Sequence, residues 1–196
     1  MCVSPHRFPW ERKIRRWRTL LRVLFRTNAL DDRVRRTLVD NLYANPGSLT
    51  AGAANGIIAA LVAAAYAGNS LIWQVAMLLS VIGLWRVLMA FGLPRLKLRD
   101  TSRLELLYEL GAFSYTAVVG IFTALTIACD IPLFAQMLMA CYAIGYAGGM
   151  ASRNAGRPLI SVAGMLLTFT PICIALWQTG DAAARTLAAA IVICFA

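Results

Sequence analysis

From residue 49 onward the chain alternates long apolar runs with short polar breaks, the pattern of a chain that crosses a lipid bilayer repeatedly. A hydrocarbon layer about 30 Å thick takes about 20 residues of helix. On that measure five runs qualify: Leu49–Ala67, Leu71–Gly92, Gly111–Cys129, Ile131–Met150 and Leu159–Trp177. A sixth begins near Ala182 and is still apolar at Ala196, so the chain reads as cut inside its last helix. The expected fold is all-α and integral to the membrane. A six-helix transmembrane bundle with a truncated sixth span occupies 49–196, and a basic amphipathic arm precedes it over 1–48. None of the five full runs contains Asp or Glu, which counts against a proton- or ion-coupled transporter.

Composition sharpens this picture. Hydrophobic residues make up 60% of the chain and charged residues 14%, against roughly 45–50% and about 25% in soluble domains. A disordered chain and a secreted disulfide scaffold are excluded, and a soluble enzyme is disfavoured. The charges are also unevenly placed. Eleven of the nineteen Lys and Arg lie in residues 1–48. The break between runs two and three carries Arg95, Lys97, Arg99 and Arg103, and that between runs four and five carries Arg153 and Arg157. The alternate breaks (Gly68-Asn69-Ser70, Asp130, Thr179-Gly180-Asp181) carry none. By the positive-inside rule the N-terminus and the basic breaks are cytoplasmic. The outer connections leave no room for a ligand domain, so anything sensed is lipid-like, membrane-embedded or small enough to enter between helices.

The arm has a structure of its own in the pattern. Trp10, Ile14, Trp17, Leu20, Leu21, Leu24 and Phe25 fall within an arc of about 140° on a helical wheel. Arg12, Arg15, Arg16, Arg18, Arg22 and Arg26 occupy the opposite side. Two Trp opposite a polyarginine face suit an in-plane helix on anionic inner-leaflet lipids, with Trp10 and Trp17 in the interface. Nucleic acid could use the same charge, but the segregation of faces and the adjoining membrane region favour lipid. A second short helix with the stripe Val34, Leu38 and Leu42 follows, ended by the turn signal Asn45-Pro46-Gly47-Ser48.

Polar groups within the runs are few. Asn55, Arg86 and Gln136 are the ones available to line an intramembrane polar site. Arg86 has two readings: snorkelling to the headgroups, or partnering a carbonyl or a ligand anion inside the bundle. Arg185 is expected to snorkel. The pairs Gly52/Gly56 and Gly145/Gly149 form G-x-x-x-G spacings that let helices approach, within the chain or in a homodimer. Ser102 and Glu105 make a capping box, so a helix should start near Arg103 and run on into the third span. Cys2, Cys129, Cys141, Cys173 and Cys194 form no C-x-x-C pair, and His6 is the one histidine, so a His-based metal cluster cannot be built. No catalytic or phosphate-loop signature occurs, and neither a cofactor nor an enzymatic role for this chain alone is expected. The third basic break, with Arg153, Asn154, Gly156, Arg157 and Pro158, is either a simple turn with two anchoring arginines or a small surface that recognises anions through Arg and an exposed Asn amide.

Three short patterns carry a resemblance. They are Asp40-x-Leu42-Tyr43 with Ser48-Leu49-x-x-Gly52, then Glu105-x-x-Tyr108-x-x-Gly111-Ala112, then Arg-Asn-Ala-Gly-Arg-Pro over 153–158. Together they resemble the six-span N-terminal membrane region found ahead of GGDEF diguanylate cyclase domains in proteobacteria, sometimes followed by an EAL phosphodiesterase domain. The similarity covers about Leu38 to Ala196. It implies an input module in the bacterial inner membrane that biases the alignment of cytoplasmic cyclase domains carried in cis. It implies as well that Arg153, Asn154, Gly156, Arg157 and Pro158 form a signalling or structural loop. Ser161, Val162, Ala163 and Gly164 stand where that pattern has a Gln, and the chain contains neither a GGDEF nor an EAL stretch. The alternative is a free-standing small multi-pass protein, transporter-like or a regulatory partner subunit.

Overall fold

The computed structural model describes residues 46–92, 101–129, 131–154 and 157–195, the backbone alone at 46, 101–105 and 195. The amphipathic arm and the short helix expected after it lie outside the described residues, as does Gly156. Six helices follow in order: α1 Pro46–Ala67, α2 Ser70–Gly92, α3 Thr101–Ala128, α4 Leu133–Arg153, α5 Pro158–Gln178 and α6 Ala182–Phe195. The first five are long and apolar enough to cross a membrane, and α6 is a shorter apolar helix. The protein is therefore a multi-pass helical membrane protein.

The breaks in the sequence act as breaks in the chain for definite reasons. Gly68 closes α1 at φ +60 and Gly180 follows α5 at φ +77, a left-handed backbone that costs glycine nothing. Asn69 then starts α2: its Oδ1 accepts from the Leu71 amide at 2.9 Å. Pro158 stands at the first turn of α5, where its missing N–H is not needed. α3 begins ten residues ahead of the apolar run at Gly111, as the protruding start anticipates. Its membrane-length stretch, Leu106–Ala128, takes in Glu109, so the absence of acids expected from the apolar runs alone does not hold at that end.

Within the compact unit Leu38–Ala196, α3 is the hub, packing on α2, α4 and α5 and touching α1. α1 packs on α2 and α4, α4 on α5, and α6 chiefly on α5. The interior is built largely from small side chains: Ala60, Ala63, Ala64, Ala76, Ala112, Ala135 and Ala143 are fully buried. Many bulky apolar residues, among them Ile58, Met77, Leu84, Leu88, Phe134 and Ile193, lie on the outer surface, while Ile72, Leu79, Phe122 and Met139 are buried among the small ones. This is the distribution expected where lipid is as apolar as leucine and helices associate by close packing. The buried threonines bond within their own helix, Thr116 to the Ala112 carbonyl and Thr168 to that of Gly164, both at 2.9 Å.

A close crossing of two helix backbones lies at Gly120. A Cβ there would lie 2.5 Å from the Thr168 carbonyl oxygen and 2.6 Å from that of Leu167. Pro171 sits inside α5 and has no N–H to give to Leu167, four residues earlier. The Leu167 carbonyl, which Pro171 cannot bond, thus faces a position of α3 without a side chain. The G-x-x-x-G pairs behave differently from expectation. Gly52, Gly145 and Gly149 have open space around them, and only Gly56 packs closely.

Candidate functional site

Polar groups from four helices meet near the end of the bundle where α1, α3 and α5 begin and α2 and α4 finish. Arg86 on α2 is 7% exposed. It does not reach outward to headgroups; its Nη1 donates to the Tyr146 hydroxyl on α4. Its Cζ stands 5.3 Å from the centroid of the Tyr115 ring on α3, within cation–π range. Tyr115 and Tyr146 pack at 5.0 Å between centroids, and Tyr142 and Tyr146 at 5.9 Å. The Tyr142 hydroxyl donates to the Gly52 carbonyl at 2.9 Å. Its single proton is thereby used, so in the 2.8 Å contact between Tyr142 and Tyr115 the donor is Tyr115. A hydrogen-bonded chain therefore runs from α3 through α4 to the backbone of α1, with the arginine against its rings.

Glycines make the space for it. A Cβ at Gly56 would collide with the Tyr115 and Tyr142 hydroxyls. At Gly83 it would meet Tyr115 Cε2 at 3.1 Å, and at Gly111 it would meet Arg86 Cγ at 3.3 Å. Three helices thus give up a side chain where the three-ring cluster and the arginine stem need volume.

The loop after α4 lies at the same end and is built inward. Asn154 is 2% exposed: its Nδ2 donates to the Met150 carbonyl at 2.9 Å, and its Oδ1 accepts from Tyr108 on α3 at 3.4 Å. The exposed Asn amide of the anion-surface reading is thus corrected, because the amide is consumed in closing α4 and fastening it to α3. Arg157 is also buried, with Nη1 4.0 Å from Glu109 Oε1. A buried guanidinium needs such a partner to offset its desolvation. The Asn154 carbonyl accepts from the Arg157 amide at 2.8 Å and from Ser161 Oγ at 3.2 Å, which sets the entry into α5. Arg153 is half-buried, and Pro158 is exposed. Asn154→Ala is expected to lower stability in detergent by about 1–2 kcal/mol, since it removes two buried side-chain hydrogen bonds, to the Met150 carbonyl and from Tyr108. Arg153→Ala should stay within about 0.5 kcal/mol, and thermal melts of the two variants check the contrast.

The other predicted intramembrane groups do not join the cluster. Asn55 is exposed on the outer face of α1. Gln136 donates to the Ile131 carbonyl at 2.8 Å. It sits ten residues before Tyr146 on α4, about 15 Å away along the helix. Asn55, Arg86 and Gln136 therefore do not line one site. Arg185 is exposed, with Cζ 5.8 Å from the Trp177 ring. Tyr115, Tyr142 and Tyr146 were not singled out by the sequence reading. Their signal was available as an i, i+4 pair at 142 and 146, and as an i, i+7 pair at 108 and 115, in the two helices that flank an intramembrane arginine.

A second concavity, about 860 Å³, opens between α5 and α6 against Phe169, Cys173, Trp177, Ala188 and Val192. Its walls are apolar, so it accepts hydrocarbon without selecting among partners. Among the described residues no three His, Cys, Asp or Glu side chains gather as metal ligands. Comparisons with known protein families, with characterised proteins and with solved structures find no match.

Proposed function

We propose that this chain is the membrane-embedded input module of a cyclic di-GMP signalling protein, without catalytic machinery of its own. On this reading it lies in a bacterial inner membrane with its N-terminus and basic loops in the cytoplasm. The arm rests on anionic lipids of the inner leaflet. The observation that supports the reading is the construction of the 153–158 loop, the most distinctive piece of the resemblance. Asn154 and Arg157 are buried and bind Tyr108 and Glu109, so the ends of α3, α4 and α5 are coupled at one place. Residues 142–146 of the same α4 carry the tyrosine cluster. A change of packing around Arg86 is then passed to the loop along a single rigid helix, and helix rearrangement is the output.

The coding sequence downstream of codon 196 tests the proposal directly. An in-frame GGDEF domain is the expected result, and a stop codon with no cyclase in the following kilobase overturns it. Where the domain is present, cyclic di-GMP formed by the whole protein should change by about threefold or more in Asn154→Ala, roughly 0.7 kcal/mol of bias between two packings. Equal output at equal expression would remove the loop from the signalling path.

A further inference from the structure

We infer that Arg86 is the floor of a binding site for a single-chain carboxylate amphiphile, a fatty-acid-like molecule entering between α2 and α3. This concerns binding and stands independently of the signalling proposal.

The charge balance inside the bundle comes first. An arginine stays protonated in any protein environment, and here it is buried inside a membrane-length helix. Among the described residues its partners are neutral: one hydroxyl accepts from Nη1, and one aromatic face lies beside Cζ. No carboxylate comes within ion-pair distance of it among those residues, and Glu109, the nearest acid along α3, is engaged by Arg157. The guanidinium has five N–H donors, and among the described residues it makes a single hydrogen bond. A cation held at this depth without a counter-charge costs several kcal/mol, which an anion would offset.

The second observation is an opening that reaches it. A notch of about 20 Å³ is lined by Trp85, Arg86, Met89, Leu107, Tyr108 and Gly111. That volume admits a group the size of a water molecule, hence one anionic oxygen. Gly111 contributes by lacking a side chain, since its Cβ would press on the Arg86 stem at 3.3 Å. Trp85 is 37% exposed at the lipid surface, so the approach is apolar and lies on the membrane side. Arg86 is six residues, about 9 Å, short of the end of α2. A free phosphate ion would have to shed its water against hydrocarbon to arrive there. A carboxylate with a tail arrives by that route with its chain already in lipid, and its compact head suits a narrow notch better than a phosphodiester with two chains.

The test uses the full chain in a neutral detergent, with decanoate as the probe. Acetate supplies the charge without the tail, decanol the tail without the charge, and dioctanoyl phosphatidylglycerol a phosphodiester head. Decanoate is expected to raise the thermal midpoint saturably, and acetate and decanol are not. In Arg86→Gln the half-saturating concentration should rise roughly tenfold or more, the scale of one charge-assisted hydrogen bond. Leu107→Trp fills the notch from the lipid side and leaves Arg86 and its tyrosines in place, so it should give a similar loss. This variant decides the matter alone if Arg86→Gln does not fold. Unchanged decanoate binding in Leu107→Trp overturns the site. Equal protection by acetate, or tighter Arg86-dependent protection by phosphatidylglycerol, overturns the assignment of its occupant.

Discussion

A single methyl group at position 120 is expected to separate α3 from α5. In Gly120→Ala the added carbon would stand 2.5 and 2.6 Å from two backbone carbonyl oxygens of α5, well inside contact distance. A flexible side chain can turn away from such a clash, but a helix backbone cannot. The two helices must therefore part by about an ångström along the most extensive interface of the bundle. Overpacking of this kind costs typically 1–3 kcal/mol and more where nothing yields. The expected loss is at least about 3 kcal/mol, read as a lowered thermal midpoint in detergent or as degradation in cells. Gly145→Ala is the matched control: it lies on the outer surface with open space around it, and the change should stay within about 0.5 kcal/mol. A Gly120→Ala variant as stable as the parent would mean that α3 and α5 do not cross at this position.

The second large effect is expected at Gly56, and here the pattern among variants says more than the size of the loss. Gly56→Ala drives a methyl into the Tyr115 and Tyr142 hydroxyls. Relief requires the rings to move, which breaks the bond between them and the bond from Tyr142 to the Gly52 carbonyl. Breaking two hydrogen bonds of largely buried hydroxyls makes the change worth about 2–4 kcal/mol. Removing both oxygens by Tyr115→Phe and Tyr142→Phe relieves the two shortest contacts and leaves the ring carbon Cζ of residue 142, 2.6 Å from the methyl, to shift without a hydrogen bond to break. Gly56→Ala on that background should then cost less than in the parent, by an interaction energy of about 1 kcal/mol in the cycle. Additive losses would show that the rings do not meet over Gly56.

How much of this could be read beforehand follows from how a membrane helix presents itself. The number of helices, their bounds to within a few residues and their breakers (Gly68, Asn69, Pro158, Gly180) were legible, because apolar length and turn chemistry are one-dimensional signals. The facing of each helix was not. A helix apolar on every side has no polar face to mark its outside, so Asn55 was as eligible for the interior as Tyr115. The G-x-x-x-G spacing misled for the same reason: Gly145 and Gly149 satisfy it on an outer face, whereas Gly120 makes a close crossing with Ala124, not a glycine, four residues on. Arg86 was visible as an anomaly, yet its partners belong to two other helices and are neutral, so no charge pattern pointed to them. Asn154 looked like a surface turn residue because Asn-x-Gly usually is one. Its burial depends on Tyr108, some forty-six residues earlier.

The attachment of α6 has a consequence for motion. Among its described residues only Ala188 is buried, and beyond α5 it has no extensive neighbour. The free energy needed to detach a helix scales with the contacts it breaks, so the bundle is divided into a slow part and a fast one. The five long helices, locked at Gly120 and around the tyrosines, should open together and rarely. α6 should lift from α5 many times during each such interval, so its amides lose hydrogen-exchange protection first while the rest of the bundle keeps its own.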